Sequence, residues 1–367
     1  MNTHTQKILI VGAGIAGLAC AIMCEKHGLD YDLIERRGVS HPQGYSVTLP
    51  PAGLDALRTL GIYESIAPLS SSVDGVLLAS EAHEATRSID FGRNRLQVRT
   101  VRRADLHAAL LAELTKPVRY NTAIGSCQAS EDGVTVELTT DKQASYRLVV
   151  GADGLHSHIR TLMSPSAQAS PTGVAFWTCF IPEPLHTRFS TTHITQYWQH
   201  GHFAGIFPLP GGANIVLSTH LPATIDLRDI DISQLFGNMS PDIDAVLANI
   251  DRNAMYQGHL HEVKLAHWQR YPYVLVGDAA HAMMPATGMG STAGILDAIA
   301  LTDALVRHHD THTALKSYEA SRVVSSKRAQ TTSRLITEAM LSTGIAETIN
   351  QKAVQLLPDS FFVRIFR

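Results

Sequence analysis

The uncharged run "ILIVGAGIAGLACAIMC", residues 8–24, limits the fold of this chain more than any other stretch, because it spaces three glycines as Gly12-x-Gly14-x-x-Gly17. Lys7 to Val11 reads as a short parallel strand, the glycines as a turn, and Leu18 to His27 as a helix with an apolar stripe. A second apolar run, Tyr31 to Ile34, ends at Glu35, about twenty residues beyond Gly14, followed by Arg36. Gly12 permits the tight turn, Gly14 lets backbone approach a pyrophosphate, and Gly17, just after Ala16, lets the helix lie against the strand. Phosphates then face a helix N-terminus, and Glu35 is placed to accept hydrogen bonds from ribose hydroxyls. A secretory signal core with cleavage near residues 19–21 is the competing reading. The motif spacing of the glycines and a length short of the ~20 residues of a membrane span weigh against it.

This fingerprint implies the ADP end of a dinucleotide and leaves NAD and FAD both open, while Glu35 repels a 2′-phosphate. The choice rests on a second glycine loop far along the chain, "GDAAHAMMPATGMGSTAG", residues 277–294. Val274 to Val276 reads as a strand that ends at Asp278, whose carboxylate is free to accept from a polyol. Pro285, Gly288, Met289 and Gly290 then form a turn leading at Ser291 into a helix that runs to Arg307. Amides at a helix start stabilise negative charge, which a reduced isoalloxazine carries at its N1–C2=O edge. One extended FAD spans both loops on this reading.

Composition narrows the alternatives. At 367 residues, 45% hydrophobic and 17% charged, the chain can bury a large core. A net charge of -3 offers no attraction to nucleic acid or to an anionic membrane. No other stretch approaches a transmembrane length, so no integral membrane segment is expected. The apolar tail from Leu356 reads as a docking helix rather than a membrane contact. The four cysteines lack metal spacing and suit a reduced cytoplasmic protein, monomeric or homodimeric. The 19 histidines are scattered without a ligand set, so no metal is expected, and His281 reads as packed against backbone.

Between residues 169 and 265 the pattern alternates, as in "THITQYWQ" (192–199), "HFAGIFPL" (202–209) and "NIVLSTHL" (214–221), which predicts an antiparallel sheet. One face of it roofs the flavin, and the period does not say which. Candidate pocket residues are Tyr197, His202, Phe203 and Phe207 from this sheet, with Tyr45, Val47 and Met284 from the flavin side. The fold class is α/β: a three-layer, Rossmann-like FAD-binding domain with an inserted antiparallel-sheet substrate domain and C-terminal helices. The expected division assigns residues 1–75, 101–168 and 266–325 to FAD binding. Residues 76–100 and 169–265 form the substrate side, and 326–367 the terminal helices.

Three motifs in order carry a family resemblance: Gly12-x-Gly14-x-x-Gly17 with Glu35-Arg36, "GADGLHSHIR" (151–160) and "GDAAHAMMPATGMG" (277–290). "GYSVTLPPAGLDALRTLGI" (44–62) and "RRADLHAALL" (102–111) are weaker matches. The chain resembles the single-component FAD-dependent aromatic hydroxylases, the para-hydroxybenzoate hydroxylase-like flavoprotein monooxygenases. That resemblance implies non-covalent FAD, with Arg103 as a flavin contact. It implies NADH or NADPH as co-substrate, bound without its own Rossmann domain and met by Asp153, Gly154 and Arg160, Asp153 also serving the flavin. It implies transfer of one oxygen atom from O2, through a flavin C4a-hydroperoxide, to a small electron-rich aromatic. A general base for such a substrate is expected at Tyr197 or His202. The chain departs from the family at Met289 and Thr292, where many relatives carry Gln and Asn, so only backbone contacts carry over there. "FWTCFIP" (176–182) is a poor match to a halogenase signature. A flavoprotein that binds a metabolite without hydroxylating it, and epoxidation, N-hydroxylation or isoprenoid reduction on the same fold, stay open as alternatives.

Overall fold

In the computed structural model, residues 7–39, 46–79, 85–94, 96–140 and 143–364 are described. The uncharged run at the start becomes the strand Ile8–Val11 and the helix Ile15–Lys26. That helix is apolar nearly all round because it is buried nearly all round, wedged between the helices Arg103–Ala112 and Met289–Arg307. Ile8–Val11 lies inside a five-stranded sheet ordered Gln269–Arg270, Tyr273–Leu275, Leu148–Gly151, Ile8–Val11, Tyr31–Ile34. All neighbours are parallel except the first pair. Both glycine motifs therefore leave this sheet from the same ends of its strands, which is where open parallel sheets bind nucleotides.

A seven-stranded sheet forms the second layer, ordered Tyr256–Glu262, Ser170–Pro182, Gly212–His220, His202–Leu209, His193–Gln199, Gly75–Ala79, Ala85–Asp90. It is antiparallel apart from the contact between His193–Gln199 and Gly75–Ala79. A three-stranded sheet, Ser46–Leu49, Val98–Arg102 and Ser70–Val73, joins the two layers, and the Thr100 hydroxyl donates to the Pro208 carbonyl across that junction. The helices Ile232–Phe236 and Pro241–Asn249 cover one face of the large sheet, where Trp177, Ile215, Leu217, Phe236 and Ile243 share a core.

The helix Met289–Arg307 starts two residues before the expected point. It is the one helix among the described residues long and apolar enough to cross a bilayer, and it serves as the core helix of the first domain. Asp310 caps the next helix, Thr311–Met340, by accepting from the Thr313 N–H at 2.8 Å. This helix runs unbroken through residues 325 and 326, so the expected division there falls inside one element. Two further helices, Gly344–Leu356 and Asp359–Val363, bring Val363 into a cluster with Phe91, Leu96, Val98 and Ile194.

Candidate cofactor and substrate site

The glycines of the two loops divide by what surrounds them. At Gly17 a Cβ would collide with the Gly12 carbonyl oxygen, and at Gly12, where φ is +104°, it would lie 2.5 Å from the Ala152 carbonyl oxygen. These two are glycine because protein fills the space. Gly14 and Gly290 have nothing within 4 Å of an added Cβ, so no neighbouring atom of the chain requires glycine there. Absent side chains at open positions, directly before and inside the first turn of two helices, leave backbone amides reachable. Neither helix start carries a side-chain cap. An anionic group is the partner such amides accept. The residues therefore fit the two ends of FAD, the pyrophosphate at Gly14 and the flavin edge at Met289 to Ser291, the Gly288 N–H being used by the Pro285 carbonyl.

Ala16 holds the two loops together, its methyl standing 3.0 Å from the Cβ position of Gly277 and 3.2 Å from that of Gly294. Glu35 reaches the first turn, accepting from the Ala13 N–H at 3.0 Å through Oε2 and from the Arg37 N–H at 2.9 Å through Oε1. Arg36 is exposed beside it, and Arg103 is half-buried at the start of its helix. One turn on from Arg103, His107 places Nε2 2.8 Å from the Ala13 carbonyl oxygen, and burial lowers its pKa. His107 was not foreseen as a site residue, although its spacing of four from Arg103 puts both on one helix face.

Ser157 caps the helix His158–Met163, and Asp153 reinforces its start, its Oδ2 accepting from the N–H groups of His158 and Ile159 at 2.7 and 3.2 Å. Its other oxygen is buried with no partner among the described residues, and Gly154 beside it has φ +75° and open space around it. Arg160 is a correction. Expected to meet a nicotinamide nucleotide, it is 1% exposed and donates to three backbone carbonyls, those of Ala167 (3.0 Å), Ala279 (3.0 Å) and Leu155 (2.6 Å). It ties the Asp153 loop to the flavin loop from inside.

Asp278 is exposed at the start of the turn Asp278–His281. Pro285 is exposed, and Met289, Gly290 and Ser291 are partly so. Gly288, at φ +65°, packs its Cα against Thr48, where a Cβ would lie 2.9 Å from that of Thr48. Val47 was expected in the pocket, but it joins Leu49 in the core beneath, because a strand sends alternate side chains to opposite faces. Thr48 is the residue that meets the loop. Thr292 is fully buried and its hydroxyl has no partner among the described residues, with Gly53 providing the room it needs. Tyr45 lies outside the described residues.

The large sheet corrects the catalytic expectation. Phe203 packs with Met284, Val174, Met340 and Leu341, which identifies the face turned toward the flavin loop. Tyr197 is on the opposite face, in the core with Trp177 and Phe236, and burial raises its pKa. His202 also points that way, its ring 5.3 Å from that of Phe236. Neither residue reaches the flavin side.

On the near face, a row across the strands sets Phe180 and Phe207 on either side of Asn214, and Trp198 lies opposite Phe203. Three glycines lie under these rings: Gly205 beneath Phe203 and Phe207, Gly212 beneath Phe180, and Gly258 beneath Phe176. Each ring occupies space that a Cβ would take, so aromatic surface lies along the sheet. Phe176, Phe180, Trp198, Phe207 and Val216 are all partly exposed. Arg102 stacks 4.2 Å from the Phe180 ring at one rim. No group of histidine, cysteine or carboxylate side chains able to hold a metal occurs among the described residues.

A family model described as an FAD binding domain matches residues 5–334. A 2-heptyl-3-hydroxy-4(1H)-quinolone synthase of Pseudomonas aeruginosa is 30% identical over 316 residues, covering 80% of this chain and 79% of that protein. An FAD-dependent urate hydroxylase of Klebsiella pneumoniae is 26% identical over 338 residues, 86% of this chain and 86% of that one. Among solved structures, Klebsiella pneumoniae HpxO complexed with FAD and uric acid matches with a TM-score of 0.88 at 22% identity, covering 99% of this chain and 97% of that one. The family match over most of its length and the likeness to the quinolone synthase show that the chain belongs to this FAD-binding family and is a flavoprotein monooxygenase of the aromatic-hydroxylase type.

Proposed function

We propose that the chain uses NADH or NADPH and O2 to insert one oxygen atom into a small, planar aromatic or heteroaromatic molecule, with FAD held non-covalently. The observation that carries this reading is the half-open aromatic face of the large sheet, in which Phe176, Phe180 and Phe207 lie over glycines on the same face as Phe203, which packs with Met284 of the flavin loop. Flat apolar surface of this kind favours a flat apolar ligand, through burial and ring stacking. Two relatives are named for a quinolone and for urate, both fused nitrogen heterocycles, and a substrate of that size and shape is proposed here.

FAD, when bound, supplies the redox chemistry: it accepts a hydride, activates O2 and delivers one oxygen atom. The chain's part is to hold, orient and shield. Amides at Gly14 and at Met289 to Ser291 would meet the anionic parts of the cofactor, Glu35 would take the ribose, and Asp278 the polyol. Gly154, open beside Asp153, gives the nicotinamide nucleotide a place to approach, while Arg160 fixes that loop. With Tyr197 and His202 on the far face, the substrate's own electron-donating group supplies its reactivity. The four cysteines form no disulfide, which suits a reducing cytoplasm. Assembly as a monomer or homodimer completes the proposal.

The test is a panel of bicyclic heteroaromatics incubated with protein, NADH or NADPH, and isotopically labelled O2. The expected result is substrate-stimulated nicotinamide oxidation and a product heavier by one labelled oxygen. Unstimulated oxidation with no oxygenated product across the panel would indicate a binding protein, and saturated products a reductase. Gly14→Ala should fold normally and lose FAD, since nothing in the chain fills that space, whereas Gly17→Ala should fail to fold.

A further inference from the structure

A buried charge cluster lies beneath the flavin loop, and the cofactor contacts above do not use it. Asp297, on the helix Met289–Arg307, is 0% exposed and accepts three hydrogen bonds. Its Oδ2 takes the Gly277 N–H at 3.0 Å and lies 2.5 Å from His281 Nε2, while its Oδ1 takes Arg322 Nε at 2.8 Å from the helix Thr311–Met340. Gly277 and His281 bracket the turn that carries Asp278 outward. The Trp268 ring lies 4.8 Å from that of His281, which is 1% exposed. A carboxylate buried this deeply is costly unless paired and hydrogen-bonded, and here it is paired twice.

We infer that His281, Asp297 and Arg322 form a charge clamp that sets the pose of the Asp278 turn and, through it, the hold on FAD. The clamp rests on the FAD reading above and goes beyond it by making cofactor retention depend on an internal proton. Burial alone would lower the His281 pKa, but the charge of Asp297 and the bond to it outweigh that and raise it. Burial would raise Asp297, but His281 and Arg322 together hold it below the ordinary carboxylate value. Other groups around the cluster are Asp278 on the same turn, Arg160 bonded to the Ala279 carbonyl, Tyr318 and Glu319 beside Trp268, His267 near Glu319, and the buried Cys20 thiol. Arg160 is charged throughout the relevant range, and burial holds Tyr318 and Cys20 in their neutral forms well above their usual pKa values. His281 is thus the member that changes charge. Its raised pKa fixes the sign: the clamp is intact below that pKa and is lost as pH rises through it.

The test dilutes holoprotein and follows FAD release by the recovery of free-flavin fluorescence from about pH 6 to about pH 10, a range starting near the ordinary histidine value. Wild type should release FAD faster as pH rises, at least about tenfold across the range, one decade per 1.4 kcal/mol. His281→Gln should release it fast and with a flat pH profile. Arg322→Gln should also release it fast, and Arg322→Lys should recover most of the wild-type hold, a rescue that remains available if the histidine variant does not fold. Pattern failure is separable: wild type carrying no FAD overturns the cofactor reading and the clamp together. FAD retained with the same pH-flat release in wild type and all variants overturns the clamp alone.

Discussion

The two faces of the seven-stranded sheet come from alternate residues of the same strands, yet they are packed differently: the far face is one continuous core, and the near face is packed only around Ile194 and around Phe203. On the far face Ala175, Trp177, Ala204, Ile206, Ile215 and Leu217 are each 1% exposed or less, sealed by the helices Ile232–Phe236 and Pro241–Asn249. On the near face Phe176, Phe180, Trp198, Phe207 and Val216 stay partly open although the sheet lies between two layers of protein. Interiors are normally packed to crystal-like density, so these partly open apolar side chains are the surface that a flat ligand would meet under the proposed function. The far face is sealed along its length, and the near face leaves its middle row of aromatic side chains partly open between two packed flanks.

That contrast can be broken most directly at Trp177. Its ring is 1% exposed and meets Phe236 edge to face at 5.7 Å, so Trp177→Ala should cost about 3–5 kcal/mol of stability. Urea unfolding followed by circular dichroism measures it, and the surviving folded fraction should bind FAD normally. A loss of the same size from Phe207→Ala would erase the distinction between the faces.

On the near face the damage should appear in chemistry rather than in stability. Phe207→Leu keeps apolar volume but removes a flat ring beside Gly205, so its stability cost should stay below about 1.5 kcal/mol. A substrate displaced by about 1 Å can lose on the order of a hundredfold in rate. The expected result is nicotinamide oxidation that continues while product falls and hydrogen peroxide rises. Unchanged coupling in this variant would move the substrate away from the sheet.

Much of the cofactor site is legible in the sequence, because glycines serving a turn, a close approach and a helix contact must sit at fixed spacings between strand and helix. The same logic finds the loop of residues 277–290, beneath which Thr292 is buried. The roof is less legible. Alternation shows that the strands have two faces, but which face meets the flavin depends on the helices over Trp177. Those helices pair with no pattern inside the strands. The sheet also recruits Gly75–Ala79 and Ala85–Asp90 from far upstream, a non-local pairing that no local window contains. Arg160 looks like a ligand contact in its motif because the three carbonyls that surround it come from residues 155, 167 and 279, brought together only by the fold.

The smallest effects should come from Tyr197 and His202 on the far face, and they sharpen the comparison because they separate stability from chemistry. Tyr197→Phe should leave coupling and its pH profile unchanged, since burial raises the phenol's pKa and the side chain faces the core. His202 is held below its ordinary pKa by burial, with the charge of His200 adding to it, and its buried Nδ1 has no partner among the described residues. The unfolded chain therefore takes up this proton first as the solution is acidified. The stability that the neutral ring contributes is complete above about pH 6.5, the unfolded value, and is lost as pH falls below it. His202→Gln should flatten that acid loss, read as urea midpoints from about pH 7 to about pH 5, and should leave product formed per nicotinamide unchanged. An unaltered acid dependence would mean that His202 already meets solvent. A change in coupling with the stability curve intact would place the ring back among the groups that touch substrate.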